Sequence, residues 1–184
     1  DVVPITEIPL GGRFSLLPFE LELITMTHSI LEPNALAIRT KFGTVFHTGD
    51  WKIDPQPLLG DVTDEAMLKR IGDEGALAMI CDSTNVFVDG EAGSEAKVRA
   101  NLKQLVQGHS GRIAVTCFAS NLARVESIAL AAVAVGRHPV LSGRALQRMI
   151  EAAQECGYLL DLPECVPEQQ AGFLPRDKVL FICT

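Results

Sequence analysis

The sequence predicts an α/β fold in two successive parts, and three observations predict it. Residues 21–47 carry short runs of strand periodicity joined by tight turns, which reads as antiparallel β. From residue 76 onward, apolar strand-like runs alternate with amphipathic helical stretches, the pattern of a parallel sheet with helical crossovers. Apolar residues make up 47% of the 184 and charged residues 21%, enough to bury a real core.

Taken in order, residues 1–20 read as extended and turn-rich, with Gly11-Gly12 as a hairpin turn candidate. Leu21 to Thr27 reads as a strand ending at His28, and Pro33-Asn34 as a turn. Ala35 to Thr40 and Thr44 to His47 form a hairpin through Lys41-Phe42-Gly43. Asp54-Pro55-Gln56-Pro57 breaks the pattern. Thr63 or Asp64 caps a helix running to about Ile71.

The continuous apolar run Ala76–Cys81 then reads as a strand covered on both faces and the first of a parallel sheet. Ser94 to Val106 is an amphipathic helix with Val98, Leu102, Leu105 and Val106 on one side. Arg112–Cys117 is the next strand, and Ser120 caps a helix to Val135. His138–Leu141 is a short strand, Arg144–Glu155 a helix stopped near Gly157, and Lys178–Cys183 a last strand.

Composition excludes some functions. The formal net charge is −7, so a basic surface is not how this protein would grip a polyanion. Any such partner is held locally, by a few Arg residues, helix N-termini or metal. No apolar run is long enough to cross a membrane, and no signal-peptide pattern is present. The five Cys form no C-x-x-C pair, so zinc-ribbon and thioredoxin readings fall away. They read as small buried hydrophobes in a reducing cytoplasm.

The chemistry-bearing residues fall where strands end. In Thr44-Val45-Phe46-His47-Thr48-Gly49-Asp50-Trp51-Lys52, Gly49 turns the backbone and Asp50 is offered at a strand's carboxyl end. Asp50 reads either as a turn Asp or as a carboxylate able to bridge two metal ions. Thr27-His28-Ser29, also beyond an apolar run, supplies a second potential ligand and favours the metal reading. His47 lies at an odd offset from Asp50, and His109 and His138 read as surface or filler residues.

Polar clusters follow the later strands: Asp82-Ser83-Thr84-Asn85, Ser120-Asn121 with Arg124, Ser142-Gly143-Arg144, and Thr184. In one parallel sheet these loops share one edge, where hydroxyls, helix N-termini and Arg suit a phosphate-rich ligand. Ser120 and Ser142 read equally as helix caps. Asp82 does not suit an anion site, and reads as a group orienting a metal ligand.

The motifs Pro18-Phe19-Glu20-Leu21-Glu22, Thr27-His28-Ser29-Ile30, His47-Thr48-Gly49-Asp50-Trp51-Lys52, Asp82-Ser83-Thr84-Asn85, Phe118-Ala119-Ser120-Asn121 with Arg124, and Ser142-Gly143-Arg144 together resemble the ribonuclease J branch of the β-CASP metallo-β-lactamase-fold nucleases. The resemblance covers nearly the whole chain. It implies residues 1–58 as the back part of a metallo-β-lactamase half and residues 59–184 as a partial, Rossmann-like β-CASP domain. It implies His28 and Asp50 as metal ligands, with Asp50 bridging, and Asp82 as the acidic first motif of the β-CASP insertion, catalytic together with Asp50. Ser83, Thr84, Asn85, Ser120, Asn121, Arg124, Ser142, Gly143 and Arg144 would hold the RNA backbone.

The implied activity is hydrolysis of RNA by endonuclease or 5′-exonuclease action, with two divalent ions, zinc first and manganese as the alternative. Two departures stand out. The family's His-x-His-x-Asp-His string does not occur here, and Leu31 stands where the family commonly has Pro. Of the four His only His28 takes a ligand position, and two ligands cannot build two metal shells. The expectation is therefore an internal segment of a cytoplasmic ribonuclease that alone is inert and holds no metal tightly. RNA is the expected partner, with a second copy of the chain as another and no membrane. Rival readings are a DNA-acting or other metallo-hydrolase of the same fold, and a phosphate-binding or assembly module without chemistry.

Overall fold

A computed structural model describes residues 3–184. The chain forms two compact units, each α/β. One is built from the residues up to His28, Glu32–Pro55 and Gly60–Ala92; the other from Ser29–Leu31, Gln56–Leu59 and Gly93–Thr184. The first unit takes in a helix and a strand that lie beyond residue 58.

The first unit is a five-stranded sheet of β1 (Arg13–Leu16), β2 (Phe19–Thr25), β3 (Asn34–Thr40), β4 (Gly43–His47) and β5 (Ala78–Ile80), in that spatial order. β1 to β4 are antiparallel, as the sequence predicts for β2 to β4, and β5 runs parallel to β4. Alternation sends Ile24, Ala35, Ala37 and Phe46 to one face, where they are buried with Met26 and with Ile71 of helix α1 (Glu65–Glu74). Asp64 starts α1, its Oδ1 accepting the Met67 N–H at 2.9 Å.

Glu22 shares that buried face and is only 1% exposed. Arg13 of β1 and Arg70 of α1 reach its Oε1 at 2.8 and 2.7 Å, and Arg39 of β3 reaches Oε2 at 2.7 Å. Burial alone would raise its pKa. The hydrogen bonds from Arg70, Arg13 and Arg39 outweigh burial and hold the carboxyl down at about 2.

Two expectations are corrected here. The Ala76–Cys81 run does not open the second sheet. It adds three residues to the edge of the first, with Leu77 and Met79 69% and 63% exposed. An apolar run fixes strand character but not which sheet receives it, and a β4–α1–β5 crossover returns this one beside β4. The Gly11 turn forms, with Gly12 N–H on the Pro9 carbonyl at 2.8 Å, but it joins no strand pair. The hairpin lies at Leu17-Pro18, between β1 and β2.

The second unit holds three parallel strands, β6 (Ile113–Thr116), β7 (His138–Ser142) and β8 (Val179–Cys183), ordered β6-β8-β7. Helices α2 (Glu95–Gln107), α3 (Leu122–Ala134) and α4 (Arg144–Glu155) complete it. Leu180 and Ile182 of β8 are buried with Leu102, Leu122, Val125, Ile128 and Leu146. Val140 and Val179 are buried with Ala171 of a 3-10 helix over Glu168–Phe173. Leu105 departs from the expected apolar stripe and is exposed. It sits one position off the Leu102–Val106 line that α2 turns inward.

Candidate functional site

Strands β2 and β4 both flank β3 antiparallel to it, so they point the same way, and β5 follows β4. The segments that leave β2, β4 and β5 therefore emerge at one edge of the first sheet. These segments carry His28, Asp50 and Asp82. Beyond the start of β3 the extensions of β2 and β4 bond directly to each other. Lys52 N–H donates to the Thr27 carbonyl at 2.8 Å.

Thr27 is buried and its hydroxyl is the hinge pin of this edge. It donates to the Lys52 carbonyl and accepts the Asp54 N–H at 3.1 Å. It also lies 2.9 Å from Thr63 Oγ1. Its single proton goes to Lys52, so Thr63 is the donor in that pair. His28 thus leaves a residue whose backbone and side chain are both fixed.

Asp50 is held by a different set. Gly49 has φ +59°, a conformation open to glycine at little cost, and its N–H donates to His47 Nδ1 at 3.0 Å. His47 therefore shapes the turn. Thr48 is buried, donates from Oγ1 to the Gly49 carbonyl at 2.7 Å, and accepts the Asp82 N–H on the same oxygen at 3.0 Å. Trp51 Nε1 donates to the Asp82 carbonyl at 3.3 Å. Both neighbours of the Gly49-Asp50 pair thus grip the backbone of Asp82.

The Asp82 carboxylate accepts the Thr84 hydroxyl at 2.6 Å and the Thr84 N–H at 3.0 Å on Oδ1. These bonds, with a smaller contribution from the His28 charge nearby, hold its pKa below the usual carboxylate range. Asp50 itself is exposed at the same edge. The edge therefore gathers one imidazole and two carboxylates. No group of three or more His, Cys, Asp or Glu among the described residues is close enough to hold a metal ion. These donors alone do not fit a two-metal centre.

Beside Asp82 opens a cavity of about 740 Å³ lined by Trp51, Ile53, Pro55, Thr84 and Val86 among others. Sequence reasoning named Ser83, Thr84 and Asn85 here but missed the apolar wall. The signal was present, since Trp51 is the chain's one Trp and follows Asp50 directly.

In the second unit, Ser120, Asn121, Ser142, Gly143 and Thr184 do lie at the carboxyl ends of β6, β7 and β8. The Asp82–Asn85 loop follows a strand of the first sheet and not of this one, so the two sets of loops are not the edge of a single parallel sheet. Asn121, not Ser120, caps α3, its Oδ1 accepting the Arg124 N–H at 3.0 Å. Gly143, not Ser142, precedes α4, and Ser142 Oγ donates to Glu168 at 2.8 Å. Arg124 donates from Nε and Nη2 to the buried Glu95 at 3.0 and 2.9 Å. Gly143 has φ +124°, and a Cβ there would lie 3.1 Å from Thr184 Cγ2. Arg144 is exposed. All five cysteines are free thiols, but against expectation none is fully buried, and Cys81 and Cys156 are exposed. No helix of the described residues is long and apolar enough to cross a membrane.

Comparison with known proteins adds an independent line. Residues 110–184 match the family model of the ribonuclease J β-CASP domain. The chain is 43% identical to ribonuclease J of Sinorhizobium meliloti over 99% of its length, and 37% identical to that of Thermus thermophilus over 100%. It is 43% identical to ribonuclease J of Mycolicibacterium smegmatis over 90% of its length. It spans 32%, 31% and 30% of those relatives respectively, about a third of each. A crystal structure of a protein of unknown function from Enterococcus faecalis V583 matches the whole chain and 46% of its own at a TM-score of 0.64. At 15% identity, that likeness concerns the fold alone.

Proposed function

We propose that this chain, which is similar to ribonuclease J along its length, forms part of a metal-dependent ribonuclease. The observation that carries this reading is the shared edge of β2, β4 and β5, which brings His28, Asp50 and Asp82 out together. His28 and Asp50 contribute donors to a metal centre that needs further ligands beyond those described. Divalent ions, zinc or manganese, would supply Lewis acidity and an activated water there. Asp82 is a positioning residue, kept ionised by Thr84 and close enough to His28 for its charge to be felt.

RNA binding follows from the same geometry. The Trp51–Val86 cavity offers an apolar wall for a base beside the ionised edge. The N-termini of α3 and α4, with exposed Arg144, offer donors for phosphates. Ser83, Asn85 and Ser120 are assigned the same role, each within its own unit. Arg124 and Ser142 would have to exchange Glu95 and Glu168 for phosphate oxygens. The proposed action is endonucleolytic or 5′-exonucleolytic cleavage in the cytoplasm, directed by the backbone and only weakly by base sequence.

The test uses a protein of the relatives' full length with matched 5′-labelled RNA and DNA oligonucleotides in zinc or manganese. Cleavage of RNA that Asp50→Ala abolishes supports the reading. Cleavage of DNA alone points instead to a DNA-acting relative of the fold. The absence of a three-donor cluster favours one further reading for the 184 residues by themselves, namely RNA binding without cleavage. Retained hydrolysis by this chain alone would rule that out.

A further inference from the structure

We propose a second phosphate-binding site at the amino-terminal edge of the three-stranded sheet, opposite the loops that carry Ser120 and Ser142. A cavity of about 690 Å³ opens there, lined by Lys103, His109, Ser110, Arg137, Asp177 and Lys178 among others. That volume suits a ligand of nucleotide size.

The floor of the cavity is Arg137, which is 5% exposed. Its Nη1 donates to the carbonyls of Gly111 and Val179 at 2.7 and 3.3 Å, and its Nη2 to the carbonyl of His109. All of these partners are neutral, so a positive charge is buried there against dipoles, with no carboxylate among the described residues paired to it. The carboxyl-terminal ends of α2 and α3 would by themselves disfavour an anion at this edge. Arg137 donates to the His109 and Gly111 carbonyls that follow α2 and so offsets part of that bias.

Lys103 of α2 and Lys178 before β8 add two more charges at the rim. Neither makes an ion pair among the described residues. The Lys178 ammonium lies 4.0 Å from the Cβ position of Gly136, folded over the turn that follows α3. Against these three cations the lining holds one acid, Asp177. In a chain with a formal net charge of −7, this concentration of positive charge around a cavity fits a phosphate group. The group belongs either to a free nucleotide or to a nucleotide within an RNA strand.

The experiment measures binding of inorganic phosphate, adenosine 5′-monophosphate and a short 5′-phosphorylated ribo-oligonucleotide to the 184-residue chain. It compares the wild type, Lys103→Ala/Lys178→Ala and the control Lys41→Ala. Both cavity lysines are exposed, so matched melting temperatures check that the fold is kept. The expected result is about a tenfold loss of affinity in the double variant and none in the control. Loss for phosphate and the mononucleotide supports a free-nucleotide site. Loss for the oligonucleotide alone supports an RNA contact. Affinities unchanged by the double variant, or no binding of any probe, overturn the proposal.

Discussion

Lys52 N–H meets the Thr27 carbonyl at 2.8 Å, and through that one bond the segment bearing Asp50 is pinned beside the segment bearing His28. The two strands behind them are separated by β3, roughly 9–10 Å apart at the usual strand spacing. Only past the start of β3 can they touch. Thr27→Val keeps the shape of the side chain but removes the hydroxyl's bonds to the Lys52 carbonyl, the Asp54 N–H and Thr63 Oγ1. The expected cost is about 2 kcal/mol, read as a lower urea midpoint. Thr27→Ser should recover most of it, and a Val variant with the wild-type midpoint would show that the latch holds nothing.

Asp50 is exposed and makes no ion pair among the described residues, so its removal should spare the fold. In a protein of the relatives' length, Asp50→Ala should lower RNA hydrolysis on the order of a thousandfold, the equivalent of about 4 kcal/mol. RNA affinity should stay within a small factor of wild type. Near-normal turnover in this variant would remove Asp50 from the reaction.

Gly49 tests the turn that presents Asp50. Its φ of +59° disfavours any side chain, and a Cβ would lie 3.1 Å from the Asn34 carbonyl oxygen. Gly49→Ala should destabilise by about 1–2 kcal/mol and shift Asp50 away from the edge. Hydrolysis should fall further than the loss of folded protein accounts for. Activity that tracks the folded fraction alone would mean the turn only supports the fold.

Glu22 sets an acid limit on stability. Its carboxyl ionises at about 2 in the folded chain against an ordinary 4.5, because its three arginines outweigh its burial. A depressed acid contributes stability that is fully present above pH 4.5 and lost as pH falls from there through about 2. The contribution at neutral pH is up to about 3 kcal/mol. Denaturant melts of Glu22→Gln should be lower than wild type at pH 7, with the gap closing as pH drops through that window. A gap that is constant from pH 7 to pH 2.5 would contradict the assignment.

Much of the architecture was legible in the residues, for local reasons. The β2–β4 meander follows from alternation and the short Lys41-Phe42 turn, and Asp64, Ser94 and Gly157 mark helix ends by backbone chemistry that acts within a few residues. The two misassigned caps share one cause. Ser120 against Asn121, and Ser142 against Gly143, differ by one position of phase, which local chemistry does not resolve. Leu105 belongs to the apolar residues of α2 by type, but the rotation of the helix against its neighbours leaves it outside. The fate of Ala76–Cys81 was illegible for a deeper reason, since apolar character is the same whichever sheet receives the strand.

The site divides in the same way. The sequence by itself determined which groups are available: one imidazole at 28, acids at 50 and 82, and glycines where the chain must turn sharply. These are matters of residue identity and of backbone preferences spanning a few bonds. The tertiary structure decided which groups meet. It brought Asp82 to Asp50 through Thr48 and Trp51, and it tied Arg124 to Glu95 and Ser142 to Glu168. It also buried Arg137 in a cavity that Lys103 and Lys178 help to line. Such pairings span up to tens of residues, and no local preference encodes them. They exist only once the strands have chosen their neighbours and the buried polar atoms have found partners.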